Sequence, residues 1–212
     1  LKALIREIVL SKTYRQQSIF SDQNPGVRKD TANRLLWRQN PRRMDAETIR
    51  DSVLLVSGKL NDQAGGPGFE DFAYKQAYAP EYNYITADSP KLWRRSIYRF
   101  LVRTTPNRFM TTLDCPDPAN FTPQRLNTTT PLQSLALYNN DFMLRQAGYL
   151  AERIEKAAGP NLKKQVEQAF RFVFNRPPSE EEMEISESVL KEENLFVLSR
   201  SLINSNEFFY FD

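Results

Sequence analysis

The sequence predicts a mainly α-helical, multi-helix globular domain with a small extended or β element in the middle. Apolar residues recur at helical spacing in the first ten positions, and helix-capping signals recur through residues 127–212. Glycines, prolines and tyrosines instead crowd residues 61–90. A chain of 212 residues with 40% hydrophobic residues is long enough to bury a core. We expect one domain over residues 1–212, as a fragment of a larger one.

Residues 1–60 are predicted to form the N-terminal helices. The apolar face of the first helix consists of Leu1, Leu4, Ile5, Ile8 and Val9. Asp22–Gly26 is expected to form a turn, and Thr31–Gln39 a second short helix. Asp45 is a good N-cap for a third helix that extends to about Ser57, where Gly58 favours a stop.

Residues 61–126 are predicted to be rich in loops, with a short strand. Gly65–Gly68 is interpreted as a connector, because no Lys-Ser/Thr pair follows it as a phosphate-binding loop requires. The segment Arg94–Pro106 fits either a strand or a helix. Thr105 is expected to cap a short helix that begins at Pro106 and ends near Leu113.

Residues 127–212 are predicted to form the C-terminal helical half. Thr130–Gln133 has the pattern of a capping box with proline at the first helical position. Leu132, Leu135 and Ala136 are then expected to face inward, and Asn139–Asp141 to end this helix and begin another. The remaining helices are expected at Phe142–Lys156, Leu162–Phe174, Glu180–Lys191 and Leu195–Phe208, with a second capping box at Ser179–Glu182.

The residue inventory excludes several kinds of chemistry from this chain. It contains no histidine, which excludes Ser-His-Asp and Cys-His catalysis, His-containing zinc sites and a histidine ligand to haem. The single cysteine, Cys115, excludes an internal disulfide. No apolar run approaches the roughly 20 residues of a membrane-spanning helix. A formal net charge of +3 is too small to indicate nucleic acid as a partner.

A positively charged segment lies between Asp88 and Asp114. Its basic residues are Lys91, Arg94, Arg95, Arg99, Arg103 and Arg108, and it contains no acidic residue. Arginine forks suit sulfate, phosphate or carboxylate groups, because two parallel N–H donors meet two oxygens. The candidate contacts to an anionic ligand or partner are Arg94, Arg95, Arg99 and Arg103. Arg95, Arg99 and Arg103 align on one face whether the segment is a strand or a helix. The alternative is that these arginines pair with acidic residues elsewhere, such as Glu180–Glu184.

A second candidate for anion binding precedes the helix that begins at Pro131. Arg125, Asn127, Thr128 and Thr129 form a polar lead-in to that helix. Backbone amides and the helix dipole favour an anion at such a position. The alternative is that the lead-in meets a part of the domain that this chain does not include.

Asp114 and Asp117 are the acidic candidates. Two carboxylates three residues apart, in a segment restrained by prolines, can chelate a hard cation or act as an acid and base pair. A glycosidase would require both in one cleft, roughly 5 to 9.5 Å apart. The alternative, typical of Asp-Pro sequences, is a turn in which the side chain bonds its own backbone.

Six sequence blocks, in order, resemble the planctomycete-specific domain of unknown function. They are RRMDAETIRDSVLLVSGKLN (Arg42–Asn61), RRSIYRFLVRTTP (Arg94–Pro106), LDCPDP (Leu113–Pro118), NTTTPLQSLALYNNDFM (Asn127–Met143), RPPSEEE (Arg176–Glu182) and LINSNEFFYFD (Leu202–Asp212). That domain lies toward the C-terminus of large secreted proteins that often carry a cytochrome c-like domain. The resemblance implies an extracytoplasmic location, periplasmic or secreted, and neighbouring domains of the same polypeptide as partners.

The family has no established activity, so the resemblance transfers no catalytic residue to this chain. The sequence departs from the family pattern at Phe142, where a proline often follows the Asn-Asp pair. It is also short between Lys191 and Leu195, which predicts a missing segment there.

We expect a non-catalytic binding or scaffolding module of a secreted multidomain protein. Its arginine-rich face would contact an anionic glycan or a partner domain, and no cofactor is expected in this chain. Two alternatives remain open: a carboxylate-based hydrolase that acts on polysaccharide through Asp114 and Asp117, and an accessory domain that docks a cytochrome c-like domain.

Overall fold

The computed structural model describes residues 1–18 and 20–211, and the chain divides into two compact units. The smaller unit comprises residues 1–44 together with the C-terminal residues from Phe209, and the larger unit is Asp45–Phe208. Helices predominate in the described residues, and the strands form small two-stranded sheets. The predicted fold class, mainly α with a small extended element, is therefore confirmed. The expectation of a single domain, itself a fragment, stays a prediction.

The smaller unit contains helices α1 (Lys2–Leu10) and α2 (Pro25–Lys29) and a short antiparallel sheet. In that sheet β1 (Arg42–Arg43) pairs with β4 (Tyr210–Phe211). The first predicted helix is confirmed, but none of its side chains is buried in the described structure. The predicted turn at Asp22–Gly26 forms in its first half, where the Asn24 amide donates to the Ser21 carbonyl at 2.9 Å. Its second half belongs to α2, because the Asn24 side chain accepts the Gly26 amide and caps a helix.

The predicted helix at Thr31–Gln39 is wrong. The Asp30 carboxylate instead accepts hydrogen bonds from the amides of Arg34 (2.9 Å) and Leu35 (2.7 Å). Asn33 adopts a left-handed backbone conformation with φ 51°. Short polar side chains that bond nearby amides offer the backbone an alternative to the helix.

The larger unit contains most of the helices. Its elements are α3 (Ala46–Val56), β2 (Phe72–Lys75), β3 (Glu81–Tyr84), α4 (Arg108–Thr112), α5 (Pro131–Asn139), α6 (Asp141–Ala158), α7 (Leu162–Phe174), α8 (Glu180–Glu192), α9 (Leu195–Leu202) and α10 (Asn206–Phe209), which leads out of the unit. Both predicted capping boxes are formed, at Thr130–Gln133 and Ser179–Glu182. The single helix predicted for Leu195–Phe208 is instead α9 and α10. Asn194 caps α9 two residues after α8 ends, and the predicted missing segment there stays a prediction.

The core of the larger unit forms around α6, which packs against α3, α5, α7 and α9. Ala147, Leu150 and Ile154 are fully buried on α6, and Ile49 and Val53 are fully buried on α3. Burial of each large aliphatic side chain contributes about 1.5–3 kcal/mol. This packing fixes α3, whose other side chains reach the cavities described below.

Two predicted details of α4 and α5 are wrong. The inward stripe on α5 is not formed, since Leu132 and Leu135 are 62% and 57% exposed while Gln133 is buried. The Gln133 side-chain amide donates to the Asp114 carboxylate (3.1 Å), which turns that face of α5 inward. Helix α4 begins at Arg108 rather than Pro106, because Asn107, not Thr105, caps it.

The middle of the larger unit holds the predicted extended element. β2 and β3 form an antiparallel hairpin, in which Phe72 faces Tyr84 and Tyr74 faces Tyr82. The segment Arg94–Pro106 is neither a continuous strand nor an α-helix: a 3-10 turn forms at Ser96–Tyr98, and isolated β-bridges flank it at Arg94 and Arg99. Its arginines are therefore not aligned by a regular repeat.

Candidate functional site

Two cavities of the larger unit share Arg99 and Met110 in their linings. The hairpin pocket, of about 450 Å³, is lined by residues 82–87 and 105–110 and by Arg50, Asp71, Arg99, Asn140 and Phe142. The α3 pocket, of about 640 Å³, is lined by Asp45, Glu47, Thr48, Asp51, Ser52, Leu55, Leu60, Arg95, Ser96, Ile97, Arg99, Leu101, Met110, Cys115, Pro116, Pro118 and Arg125. Both volumes lie in the range of small-molecule sites, roughly 300–1,000 Å³.

A buried ion pair forms part of the hairpin pocket. Arg99 Nε donates to Asp71 Oδ2 at 2.7 Å, and the two side chains are only 4% and 8% exposed. Asn107 Nδ2 donates to the same oxygen at 3.3 Å. In the described structure the other ends of the pair, Arg99 Nη2 and Asp71 Oδ1, are buried without a hydrogen-bond partner. An unmade bond of this kind costs about 1–3 kcal/mol, so both atoms favour a ligand that satisfies them.

Arg50 adds a fixed positive charge to the wall of the same pocket. Its guanidinium, carried by α3, is buried and donates to the carbonyls of Leu92 (2.6 Å) and Arg94 (2.9 Å). It also lies over the rings of Phe69 and Phe142. Burial lowers the pKa of Arg50 to about 10, which leaves the side chain charged at neutral pH.

Arg108 completes the positive lining of the hairpin pocket. It is the first residue of α4 and is exposed, and in the described part of the chain no carboxylate pairs with it. The described lining therefore holds three arginines and one carboxylate, Asp71. A concave surface with an excess of one charge concentrates ligands of the opposite charge.

The α3 pocket also contains charged side chains, but they are paired with one another. Arg125 forms a bidentate pair with Glu47, with N–O distances of 2.7 and 3.0 Å. Asp51 accepts from the Ser96 amide (2.8 Å) and hydroxyl (2.7 Å). Burial raises the pKa of Glu47, but hydrogen bonds from Arg125, from the backbone and from Cys115, together with the charge of Arg125, hold this pKa below its usual value.

Cys115 also lines the α3 pocket. Its sulfur lies 3.7 Å from Glu47 Oε1. Burial and the neighbouring carboxylate raise the pKa of the thiol to about 11. A thiol with so little thiolate at neutral pH is a poor nucleophile.

The four arginines expected to contact an anion, three of which were predicted to share one face, are separated in the structure. Arg94 is buried and donates to the carbonyl of Pro67 (2.7 Å), so it holds the glycine-rich connector. Arg99 lines both pockets, Arg95 lines only the α3 pocket, and Arg103 is exposed outside both linings. The prediction that these arginines form a single face is therefore wrong.

The alternative interpretation of these arginines, pairing with acidic residues, holds in part. Arg99 pairs with Asp71, and Arg95 Nε lies 3.7 Å from an oxygen of Asp51. The expected partners at Glu180–Glu184 are wrong, because Glu182 forms its ion pair with Arg176.

Asp114 and Asp117 do not face a common cleft. The Asp114 carboxylate accepts from the amide (2.8 Å) and hydroxyl (2.9 Å) of Thr128, and Asp114 itself has φ 64°. Asp117 accepts from the amide of Ala119 (2.9 Å) and from Asn120 Nδ2 (2.6 Å), in a local turn. Neither aspartate is among the described residues that line the two pockets. The hydrolase alternative lacks the geometry that it requires.

The polar lead-in meets acidic side chains of its own chain. Arg125 pairs with Glu47, and Thr128 binds Asp114. Asn127 and Thr129 are exposed. Arg125 and Thr128 therefore hold the lead-in against other segments of the larger unit.

The sequence interpretation missed Arg50, Asp71 and Arg108 as site residues. One signal for Arg50 was present, because it lies in the inward stripe of α3, between Ile49 and Val53. A charged residue at an inward helical position needs buried partners. Asp71 carries no comparable signal, because a loop brings it to Arg99.

Neither a membrane-spanning helix nor a metal-binding cluster is present among the described residues. Within residues 1–18 and 20–211, no helix combines the length and apolar character that crossing a bilayer requires. The same residues contain no cluster of three or more cysteine or acidic side chains arranged to hold a metal ion.

A protein-family model matches most of the chain. The model of the PSD1 family, described as a protein of unknown function (DUF1553), matches residues 1–190. The chain belongs to the PSD1 family. No curated protein and no solved structure matches it significantly. This match confirms the expectation that the chain is a domain of unknown function. The planctomycete origin and the association with a cytochrome c-like domain stay predictions. The hairpin pocket lies entirely within the matched residues.

Proposed function

We propose that this PSD1 chain is a non-catalytic binding module that holds an anionic group of a ligand or partner in the hairpin pocket. The observation that carries the proposal is the buried Nη2 of Arg99, which has no hydrogen-bond partner in the described structure and belongs to a lining with three arginines. A buried guanidinium donor without an acceptor favours an oxyanion.

The three arginines would act in different ways on a bound anion. Arg99 is fixed by Asp71 and offers a preoriented donor. Arg50 donates to backbone carbonyls and to Ser96 Oγ and lies 3.5 Å from Asp51, so it contributes charge rather than a direct bond to the ligand. Arg108 is exposed and is free to fold over the ligand at the rim. Preorganised donors lower the entropic cost of binding.

The cellular setting is also part of the proposal, and it rests on the sequence resemblance. We propose an extracytoplasmic, multidomain protein in which this module contacts neighbouring domains, a cytochrome c-like domain or an anionic glycan. The chain itself would need no cofactor for that role.

The test compares two charge reversals of equal size, Arg108→Glu and Arg103→Glu. Both side chains are exposed, but only Arg108 lines the hairpin pocket. Titration with sodium sulfate and sodium acetate, followed by NMR chemical shifts at constant ionic strength, measures the affinity. Arg108→Glu is expected to weaken binding by about tenfold or more, which corresponds to about 1.4 kcal/mol.

Arg103→Glu serves as the control and is expected to bind like the wild type, because it changes the net charge without changing the pocket. Glutamate at the first position of α4 is also favourable to the helix dipole, so Arg108→Glu is expected to fold. If the two variants lose affinity equally, or if neither anion binds the wild type, the proposal is wrong.

A further inference from the structure

A ladder of aromatic rings leads from the buried ion pair toward solvent. The cross-strand pairs Phe72–Tyr84 and Tyr74–Tyr82 lie on one face of the hairpin, because they are two residues apart along each strand. Ring centroids are 5.2 Å apart for Phe72 and Tyr82 and 5.5 Å apart for Tyr74 and Tyr82. Phe72 is buried, Tyr84 and Tyr82 are half-buried, and Tyr74 is 54% exposed.

The inner end of the ladder is rigid. The Tyr84 hydroxyl donates to the Thr105 carbonyl at 2.5 Å, and the Arg99 guanidinium lies 5.6 Å from the centre of the Tyr84 ring. The hydroxyl of Tyr84 is thus used within the protein. Tyr82 is the next ring outward and also lines the pocket. Its ring is therefore available to contact a ligand.

The ion pair presents two unsatisfied atoms of opposite kind. Arg99 Nη2 is a donor and Asp71 Oδ1 is an acceptor, and both are buried without a partner among the described residues. A carboxylate satisfies the first, and only a group with an O–H or N–H satisfies the second. Sulfate has no O–H or N–H to donate to Asp71 Oδ1. It also carries two negative charges, one more than a carboxylate, and would place them beside the Asp71 carboxylate. A ligand that carries both a carboxylate and a hydroxyl satisfies both atoms.

We propose that the hairpin pocket binds an acidic saccharide, a uronate whose carboxylate meets Arg99 and Arg108 and whose neighbouring hydroxyl meets Asp71. A pyranose ring has an apolar C–H face that packs on an aromatic ring, and Tyr82 offers an apolar ring with a polar end. The cavity of about 450 Å³ suits one sugar residue with its neighbours extending outward. This inference rests on the proposed anion-binding function and names the class of ligand.

The experiment measures binding of galacturonate, galactose, acetate, sulfate and adenosine monophosphate to the whole chain by NMR titration. Galacturonate is expected to bind at least about fivefold more tightly than acetate or sulfate, because of these three only galacturonate satisfies both buried atoms and packs on Tyr82. Galactose, which lacks the carboxylate, is expected to bind at least about fivefold more weakly than galacturonate. Tighter binding of adenosine monophosphate than of galacturonate would overturn the saccharide assignment in favour of a nucleotide.

Three tyrosine variants test the role of the ring. Tyr82→Ala is expected to lower galacturonate affinity at least about fivefold without changing acetate affinity, whereas Tyr82→Phe is expected to retain both. Tyr78→Ala is the control, since Tyr78 is fully exposed on the same hairpin and lies outside the pocket lining. If Tyr82→Ala does not fold, as judged by circular dichroism, Tyr82→Leu keeps the apolar bulk and removes the flat ring.

The possible results distinguish the saccharide inference from the anion-binding function on which it rests. If acetate and sulfate bind through Arg108 but galacturonate binds no more tightly, the saccharide inference fails and anion binding stands. Equal losses of acetate and galacturonate affinity in Tyr82→Ala lead to the same conclusion. If none of the anions binds, both fail.

Discussion

The two pockets beside Arg99 differ in how their charges are satisfied. The α3 pocket is the larger, yet its carboxylates Glu47 and Asp51 bind Arg125 and Ser96. The hairpin pocket is smaller, but it holds an excess of arginines and a buried donor and acceptor without partners in the described structure. Unsatisfied buried groups, rather than volume, distinguish a candidate binding site from a cavity between structural contacts.

The α3 pocket is neutralised by a segment that is distant in sequence. Arg125 comes from the polar lead-in to α5 and reaches Glu47, 78 residues away, on α3. In the hairpin pocket Asp71 is the only carboxylate of the described lining, and Arg99 already occupies one of its oxygens. Because the charges of the two pockets are paired differently, we expect removal of one arginine from each pocket to change protein stability and anion affinity differently.

The largest expected effect is that of Arg50→Met, because Arg50 both supports the hairpin pocket and holds the chain near α3. The substitution leaves the buried carbonyls of Leu92 and Arg94 without their donor. We expect a loss of about 3 kcal/mol in the free energy of unfolding, measured by urea denaturation. Arg171→Met on α7 is the control, since Arg171 is exposed. A loss below about 1 kcal/mol would show that Arg50 is not a structural element of the pocket.

The helices of the larger unit were largely predictable from the sequence because their start signals are local. The capping boxes at Thr130–Gln133 and Ser179–Glu182 form as predicted, and α7 has the predicted bounds. The face that α5 buries was not predictable, because it depends on Asp114, which binds Gln133 from another segment. Apolar spacing alone favoured Leu132 and Leu135, which are exposed.

The candidate site was predictable only in part. The arginine-rich segment was recognised, and Arg99 belongs to the hairpin pocket. A regular strand or helix would have aligned its arginines, but Ser96–Tyr98 forms a 3-10 turn that separates them. Asp71 and the aromatic ladder come from the hairpin, and their proximity to Arg99 is a tertiary contact with no periodic signature in the sequence.

Removal of Arg125 is the corresponding test in the α3 pocket. Arg125→Ala breaks the bidentate pair with Glu47, which is partly exposed, so we expect a loss of only about 1 kcal/mol in the free energy of unfolding. Sulfate and acetate affinity are expected to stay at the wild-type value, because Arg125 does not line the hairpin pocket. Arg103→Ala controls for the loss of one positive charge. A fall in anion affinity specific to Arg125→Ala would place the anion in the α3 pocket instead.

The smallest expected effect is the pH dependence of this same ion pair. The folded-state pKa of Glu47 lies below its usual value of 4.5, so its ionised form stabilises the folded protein. That stabilisation is fully present above about pH 5 and is lost as the pH falls through the lowered pKa. The difference in unfolding free energy between the wild type and Arg125→Ala is therefore expected to narrow between pH 6.5 and pH 3.5. Asp45 also lies beside Arg125, with its Oδ2 3.8 Å from Nη1, so the difference includes this carboxylate as well. Carboxylates distant from Arg125 titrate in both proteins and cancel.

Urea denaturation of both proteins at pH 6.5, 4.5 and 3.5 measures the narrowing, which is expected to be below about 1 kcal/mol because the pair is partly exposed. Without Arg125, Glu47 loses the partner that lowers its pKa most, while burial continues to raise that pKa, so the variant keeps less acid-sensitive stabilisation from this residue. A difference that stays constant across the three pH values would mean that Glu47 and Arg125 are not coupled in solution. The contrast between a charge-paired α3 pocket and an unsatisfied hairpin pocket would then lose its electrostatic basis.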